Sequence, residues 1–173
     1  HHATRGRIAT NIQSAADRNG PIEYASSFEE VETFFEEASG AALYLLDETD
    51  QELSGKGANT QKAERIADAL KLIRKGDGSA GSYRGILLIG QTIRGASKEL
   101  RRLVTSNGHL YHKPSKKRVE VYDDVVTGEL SSKSPERVIT GVKATRFGFN
   151  SGEASEFDMS GAPDSDGDDG LTP

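Results

Sequence analysis

Two uninterrupted apolar runs, "ALYLL" at 42–46 and "ILLI" at 86–89, constrain this chain more than any other feature. Each is too short for an ordinary helix and too continuous for a strand with one wet face, which is the pattern of a strand covered on both faces. Segments of helical spacing lie around them. In "SSFEEVETFFEEA", Ser27 stands three residues before Glu30, as in a capping box, and Phe28, Val31, Phe34, Phe35 and Ala38 share one helical face. "TQKAERIADALKLIRK" places Ala63, Ile66, Ala67, Leu70 and Ile73 in the same way, with Lys and Arg near the end where they suit the helix dipole. "SKELRRLVTSNG" is a shorter third helix, with Leu100, Leu103 and Val104 inward and Lys98, Arg101 and Arg102 outward. "GRIATNIQ" (6–13) reads as a short strand and "DRNGP" as the turn that breaks it. Strand alternating with helix predicts a parallel sheet joined by right-handed crossovers, so the fold class is α/β.

The character of the chain changes near residue 109. "HLYHKPSKKRVEVYDDV" reads as two strands around a Pro/Ser/Lys turn, and "ERVITGVKATRFGFN" as a further strand or two. From Ser151 onward Gly, Ser and Asp dominate, with seven acids and no base, which predicts a disordered acidic tail. The expected organisation is therefore an α/β core at 1–108, a β-rich extension at 109–150 and the tail at 151–173.

Composition closes several alternatives. With 173 residues, 34% of them apolar, the chain is long enough for one domain with a real core. Its longest apolar runs fall far short of the roughly 18 to 20 residues a membrane-spanning helix needs. Nothing reads as a secretory signal, so the cytoplasm is the expected location. Zero cysteines exclude disulfide frameworks and thiolate sites. The net charge of -5 hides an asymmetry: between Arg94 and Arg118 eight Lys/Arg face the single acid Glu99.

A parallel sheet binds ligands beyond the carboxyl ends of its strands. Two apolar strands here end in polar residues at that edge, "LYLLDE" in Asp47 and Glu48 and "ILLIGQT" in Gln91 and Thr92. If the strands are neighbours, a carboxylate pair and an amide converge. Such a site suits phosphate and metal: Asp47 could hold a magnesium ion through water, Glu48 accept a proton from attacking water, and Gln91 orient that water or sense a terminal phosphate. The plain alternative is a solvated loop start.

"ALYLLDE" resembles a Walker B strand with its extra catalytic glutamate, and "ILLIGQT", one helix further on, resembles a sensor strand with a polar tip. Together they are similar to the RecA-like branch of P-loop NTPases, in particular the FtsK/HerA group of DNA-translocating ATPases. "IGQTIRGASKELRRL" followed by "HKPSKKRVEVY" resembles ATPases encoded by plasmids and pleomorphic viruses of halophilic archaea. The resemblance covers roughly residues 6 to 150. It implies ATP and Mg2+ as cofactors, Asp47 at the metal, Thr92 beside the nucleotide, Glu48 and Gln91 in catalysis, and a homo-oligomer in which Arg94 reaches a neighbour's nucleotide. For Arg94, Arg101 and Arg102 the alternative is an ordinary charged helix face.

The chain departs from that family in one large respect. A P-loop, G-x-x-x-x-G-K-[ST], cradles phosphates with backbone N–H groups and a lysine, and it belongs before the Walker B strand. "SGKG" (54–57) follows that strand, with Asp50 in place of the first Gly and Gly57 in place of Ser/Thr. The expectation is an N-terminally truncated RecA-like core, whose first strand, P-loop and most of the first helix lie upstream.

Lys113, Lys116, Lys117 and Arg118, near His109, Tyr111 and His112, form a basic patch with aromatic interleaving that could contact DNA phosphates. A solvated hairpin that blunts its edge with lysines is the equal alternative. A second functional class is therefore a catalytically silent DNA- or protein-binding module that uses segment 94–118. A third is an α/β domain with other magnesium chemistry. "DSDGDDG" imitates a calcium loop, but counting from Asp164 its sixth position is Asp169 where that loop needs Gly. His1 and His2 read as a tag remnant or frayed end.

Overall fold

A computed structural model describes residues 6–47, 83–92, 98, 101–102, 108–123, 133–142, 148–150, 152–153 and 157–158. Four strands, β1 (Arg7–Thr10), β2 (Ile22–Tyr24), β3 (Ala42–Leu46) and β4 (Arg84–Leu88), form an all-parallel sheet in the order β2-β1-β3-β4. The expected α/β class with a parallel sheet is thus present. The helices expected at 60–75 and, for most of its length, at 97–108 lie outside the described residues.

Helix α1 (Gln13–Arg18) joins β1 to β2, and α2 (Phe28–Glu36) joins β2 to β3. The first connection moves to one side of β1 and the second passes back across it. Right-handed crossovers running in opposite directions place their helices on opposite faces of a sheet. Side-chain alternation agrees. Ala9, Ala42, Tyr44 and Leu46 meet Phe28, Val31, Phe34 and Phe35 of α2 in one core, while Ile12 and Ala15, buried at α1, stand outside it.

Local sequence explains α2. Ser27 Oγ accepts the Glu30 N–H at 3.2 Å and the Glu30 carboxylate accepts the Ser27 N–H at 3.1 Å, which completes the capping box. Phe34 and Phe35 meet edge to face at 5.1 Å. Helix α1 and strand β2 were not expected from the sequence, which read 6–13 as strand. The strand ends at Thr10, and the chain leaves α1 through Gly20, whose φ of 72° suits glycine.

Strand β4 differs from its expected double burial. In register with Tyr44 and Leu46, Ile86 and Leu88 pack on the α2 core, but Leu87 and Ile89 are 39% and 38% exposed on the other face. Among the described residues the strand pairs only with β3.

A second sheet is antiparallel, β5 (Leu110–Ser115), β6 (Arg118–Tyr122) and β7 (Arg137–Thr140) in that order. The expected hairpin is present, with its turn at Lys116 and Lys117. The ladder shifts between His112 and Ser115, so that Lys113 and Pro114 lie opposite one residue of β6. Pro114 has no N–H to donate, and a bulge on an edge strand is where a sheet tolerates it.

Part of the segment expected to be a disordered tail is packed. Phe157 belongs to the α2 core, 6.3 Å from the Tyr44 ring, and the Asp158 backbone donates to Ser26 O at 2.7 Å and accepts from the Phe28 N–H at 2.9 Å. Upstream, the Glu153 carboxylate accepts the Ser14 N–H, and Gly148 and Asn19 exchange two hydrogen bonds of 2.6 and 2.9 Å. A composition count reads these residues as solvated because only one aromatic marks the docking point.

Candidate functional site

The carboxyl ends of β1, β3 and β4 lie side by side. Parallel pairing sets Leu46 against Leu88, and beyond it the Ile89 N–H donates to Leu46 O at 2.8 Å, so the ladder runs to the very end of β3. The polar tips that follow, Asp47 on one strand and Gln91 and Thr92 after the other, therefore belong to neighbouring strand ends. The adjacency expected from the two apolar runs is present.

On its other side β3 pairs with β1, with Leu45 opposite Thr10. There β1 also ends in polar residues. Thr10 and Asn11 are the two buried polar residues among those described, at 0% and 2% exposure. Asn11 spends its amide on the backbone of Asp47: Oδ1 accepts the Asp47 N–H at 2.9 Å and Nδ2 donates to Asp47 O at 3.4 Å. Thr10 Oγ1 accepts the Ile12 N–H at 3.3 Å. The order β2-β1-β3-β4 reverses direction between β1 and β3, and such a switch point is where open α/β sheets leave a crevice for ligands. Asp47 thus stands between the switch point and the β4 tip.

The strand-end rule that singled out β3 and β4 applies equally to "RIATN", which ends in the same way. That polar tip is the sequence signal for Asn11. Of the other expected site residues, Glu48 and Arg94 lie outside the described residues, Gln91 and Thr92 are exposed just after β4, and Arg101 and Arg102 are helical.

Asp47 offers a hard oxygen donor. Among the described residues no group of three His, Cys, Asp or Glu side chains could hold a metal ion. Magnesium tolerates such a sparse site, since it usually keeps several waters and takes one or two carboxylates together with phosphate oxygens. The donor type therefore fits Mg2+ held partly through water. No loop with the P-loop sequence is present to cradle the phosphates of ATP.

The hairpin forms a second candidate. Lys113, Lys116 and Lys117 are exposed at its tip, with Tyr111 51% exposed and its ring 6.5 Å from that of His109. Arg118 is less available than its neighbours. Its Nε donates to Glu120 Oε1 at 2.8 Å, while Tyr122 Oη donates to Glu120 Oε2 at 3.0 Å and His112 Nδ1 lies 3.4 Å from that oxygen. The Tyr122 hydroxyl, followed by Arg118 and His112, holds the Glu120 carboxyl below the usual carboxylate range.

No protein family, curated protein or solved structure matches this chain. Among the described residues no helix is long and apolar enough to cross a membrane.

Proposed function

We propose that the chain is the C-terminal part of a RecA-like P-loop ATPase that couples ATP hydrolysis to DNA translocation, packaging or virion assembly in a plasmid or virus. The observation that carries this reading is the parallel pairing of β3 with β4, which makes the tips bearing Asp47 and Gln91 neighbours. In this reading Asp47 anchors hydrated magnesium, Glu48 takes the proton of the attacking water, and Gln91 orients that water. Thr92 lies beside the nucleotide, and Arg94 serves the adjoining subunit of a homo-oligomer. Bound Mg2+ would neutralise charge on the phosphates. The loop that cradles those phosphates is to be sought upstream of residue 1.

The test is magnesium-dependent ATP turnover by the protein carrying that upstream segment. Glu48→Gln is expected to abolish it, and turnover that survives removes Glu48 as the base. A native gene with no in-frame G-x-x-x-x-G-K-[ST] upstream would sink the ATPase reading.

One observation favours a second reading, a binding module without catalysis. The exposed lysines at the hairpin tip suit a nucleic-acid backbone whether or not ATP is hydrolysed.

A further inference from the structure

We infer that Asn11 is a positioning residue for Asp47, and that the site extends across the β1–β3 switch point rather than lying between β3 and β4 alone. The inference rests on the reading of Asp47 as a magnesium anchor.

Strand β1 stops pairing at Thr10, opposite Leu45, and the chain turns into α1 at once. The backbone of β1 therefore no longer reaches Asp47. The Asn11 side chain replaces it, presenting an acceptor to the Asp47 N–H and a donor to Asp47 O. Holding both polar groups of one residue restrains its φ and ψ together, and hence the direction in which its side chain leaves the backbone. A buried amide is costly unless its polar atoms are bonded, so the clamp is held at 2% exposure by the same burial that makes Asn11 expensive to place there. Outer-shell partners bonded to a metal-ligating side chain typically contribute about 10- to 100-fold to metal affinity, which sets the scale for a clamp on the ligand's backbone.

The chain as it stands can be tested with Mn2+, whose paramagnetic broadening of backbone amide resonances reports weak binding residue by residue. Broadening centred on residue 47 is expected in the wild type and should vanish in Asp47→Asn. Asn11→Ala should weaken the Mn2+ affinity about tenfold or more and speed hydrogen exchange of the Asp47 amide. Thr10→Val is the control, because it removes a buried hydrogen bond from the same strand end without touching Asp47. It should lower stability and leave Mn2+ affinity unchanged. If Asn11→Ala does not fold, Asn11→Ser keeps a polar group in the buried position and is read in the same way. Broadening that depends on Asp47 but is equal in the Asn11 variant and the wild type would overturn the positioning role alone, as would an equal loss in Thr10→Val. A wild type without broadening at residue 47, or broadening that persists in Asp47→Asn, would remove the metal reading and the positioning role with it.

Discussion

Arg7 and Glu23 form a two-point ion pair across β1 and β2, with Nε 2.8 Å from Oε1 and Nη2 2.6 Å from Oε2. The same guanidinium lies 5.1 Å from the centre of the Phe34 ring and 3.4 Å from Glu37. One side chain thereby ties both β2 and α2 to the first strand of the sheet. Arg7→Ala is expected to lower unfolding free energy by about 1 to 2 kcal/mol, combining a half-exposed ion pair with a cation–π contact. Arg7→Lys should recover only part of it, because an ammonium cannot bond both carboxylate oxygens in parallel. Urea denaturation of the three proteins measures the difference.

The same pair has an acid signature. Hydrogen bonding from Arg7 holds the Glu23 carboxyl below the usual carboxylate range. A depressed folded-state pKa means that the unfolded chain binds the proton first. The stabilisation is therefore complete above about pH 4.3, the unfolded value, and is lost as pH falls through the lower folded value. Glu120 and Glu153 are lowered as well and act in the same window. Stability measured from pH 6 down to pH 3 should fall less steeply in Glu23→Gln than in the wild type, and equal slopes would contradict the pairing.

Tyr44 lies at the centre of the α2 core, 1% exposed, and donates its hydroxyl to Ala25 O at 2.8 Å. Burial drives its pKa strongly upward, which keeps the phenol a neutral donor at neutral pH. Tyr44→Phe should cost about 1 kcal/mol, the net value of one internal hydrogen bond. Tyr44→Ala should cost about 3 to 5 kcal/mol, because it also opens a cavity. Thermal unfolding of both variants separates the hydroxyl from the ring.

Phe157 is 7% exposed and packs with Tyr44, although the residues around it in sequence are mostly Gly, Ser and acids. Phe157→Ala is predicted to destabilise the protein by about 3 kcal/mol. A dispensable tail would show a change under about 0.5 kcal/mol, typical of surface positions. Denaturant titration decides between the two.

Replacing Lys113, Lys116 and Lys117 by Gln tests the hairpin. All three are exposed, so stability should change by less than about 0.5 kcal/mol. Retention on duplex DNA at low salt should fall, and the slope of log K against log salt should flatten by about 0.9 for each phosphate the protein no longer neutralises. Retention and slope both unchanged would assign the lysines to a solvated edge.

Legibility of the site followed the range of the interactions that make it. The adjacency of the strand ends that precede Asp47 and Gln91 was expected because each follows an apolar run, and a strand end is a local pattern. Asn11 ends β1 in the same local pattern, but its bond to the Asp47 backbone, 36 residues away, is written in neither stretch. The double burial expected for β4 failed in part for the same reason. An apolar run reports that a strand can be covered, whereas Leu87 and Ile89 show that coverage depends on what packs against each face.

What the residues alone determined are the elements whose stabilising contacts lie within a few positions. The capping box of Ser27 and Glu30, the Phe28–Phe35 face of α2, the apolar run of β3 and the Lys116–Lys117 turn are all of this kind. Only tertiary structure decided the order β2-β1-β3-β4, the clamp of Asn11 on Asp47 and the docking of Phe157 against Tyr44. Each of these joins segments tens of residues apart. Their free energy depends on which surfaces meet, and that information is not contained in any one stretch of chain.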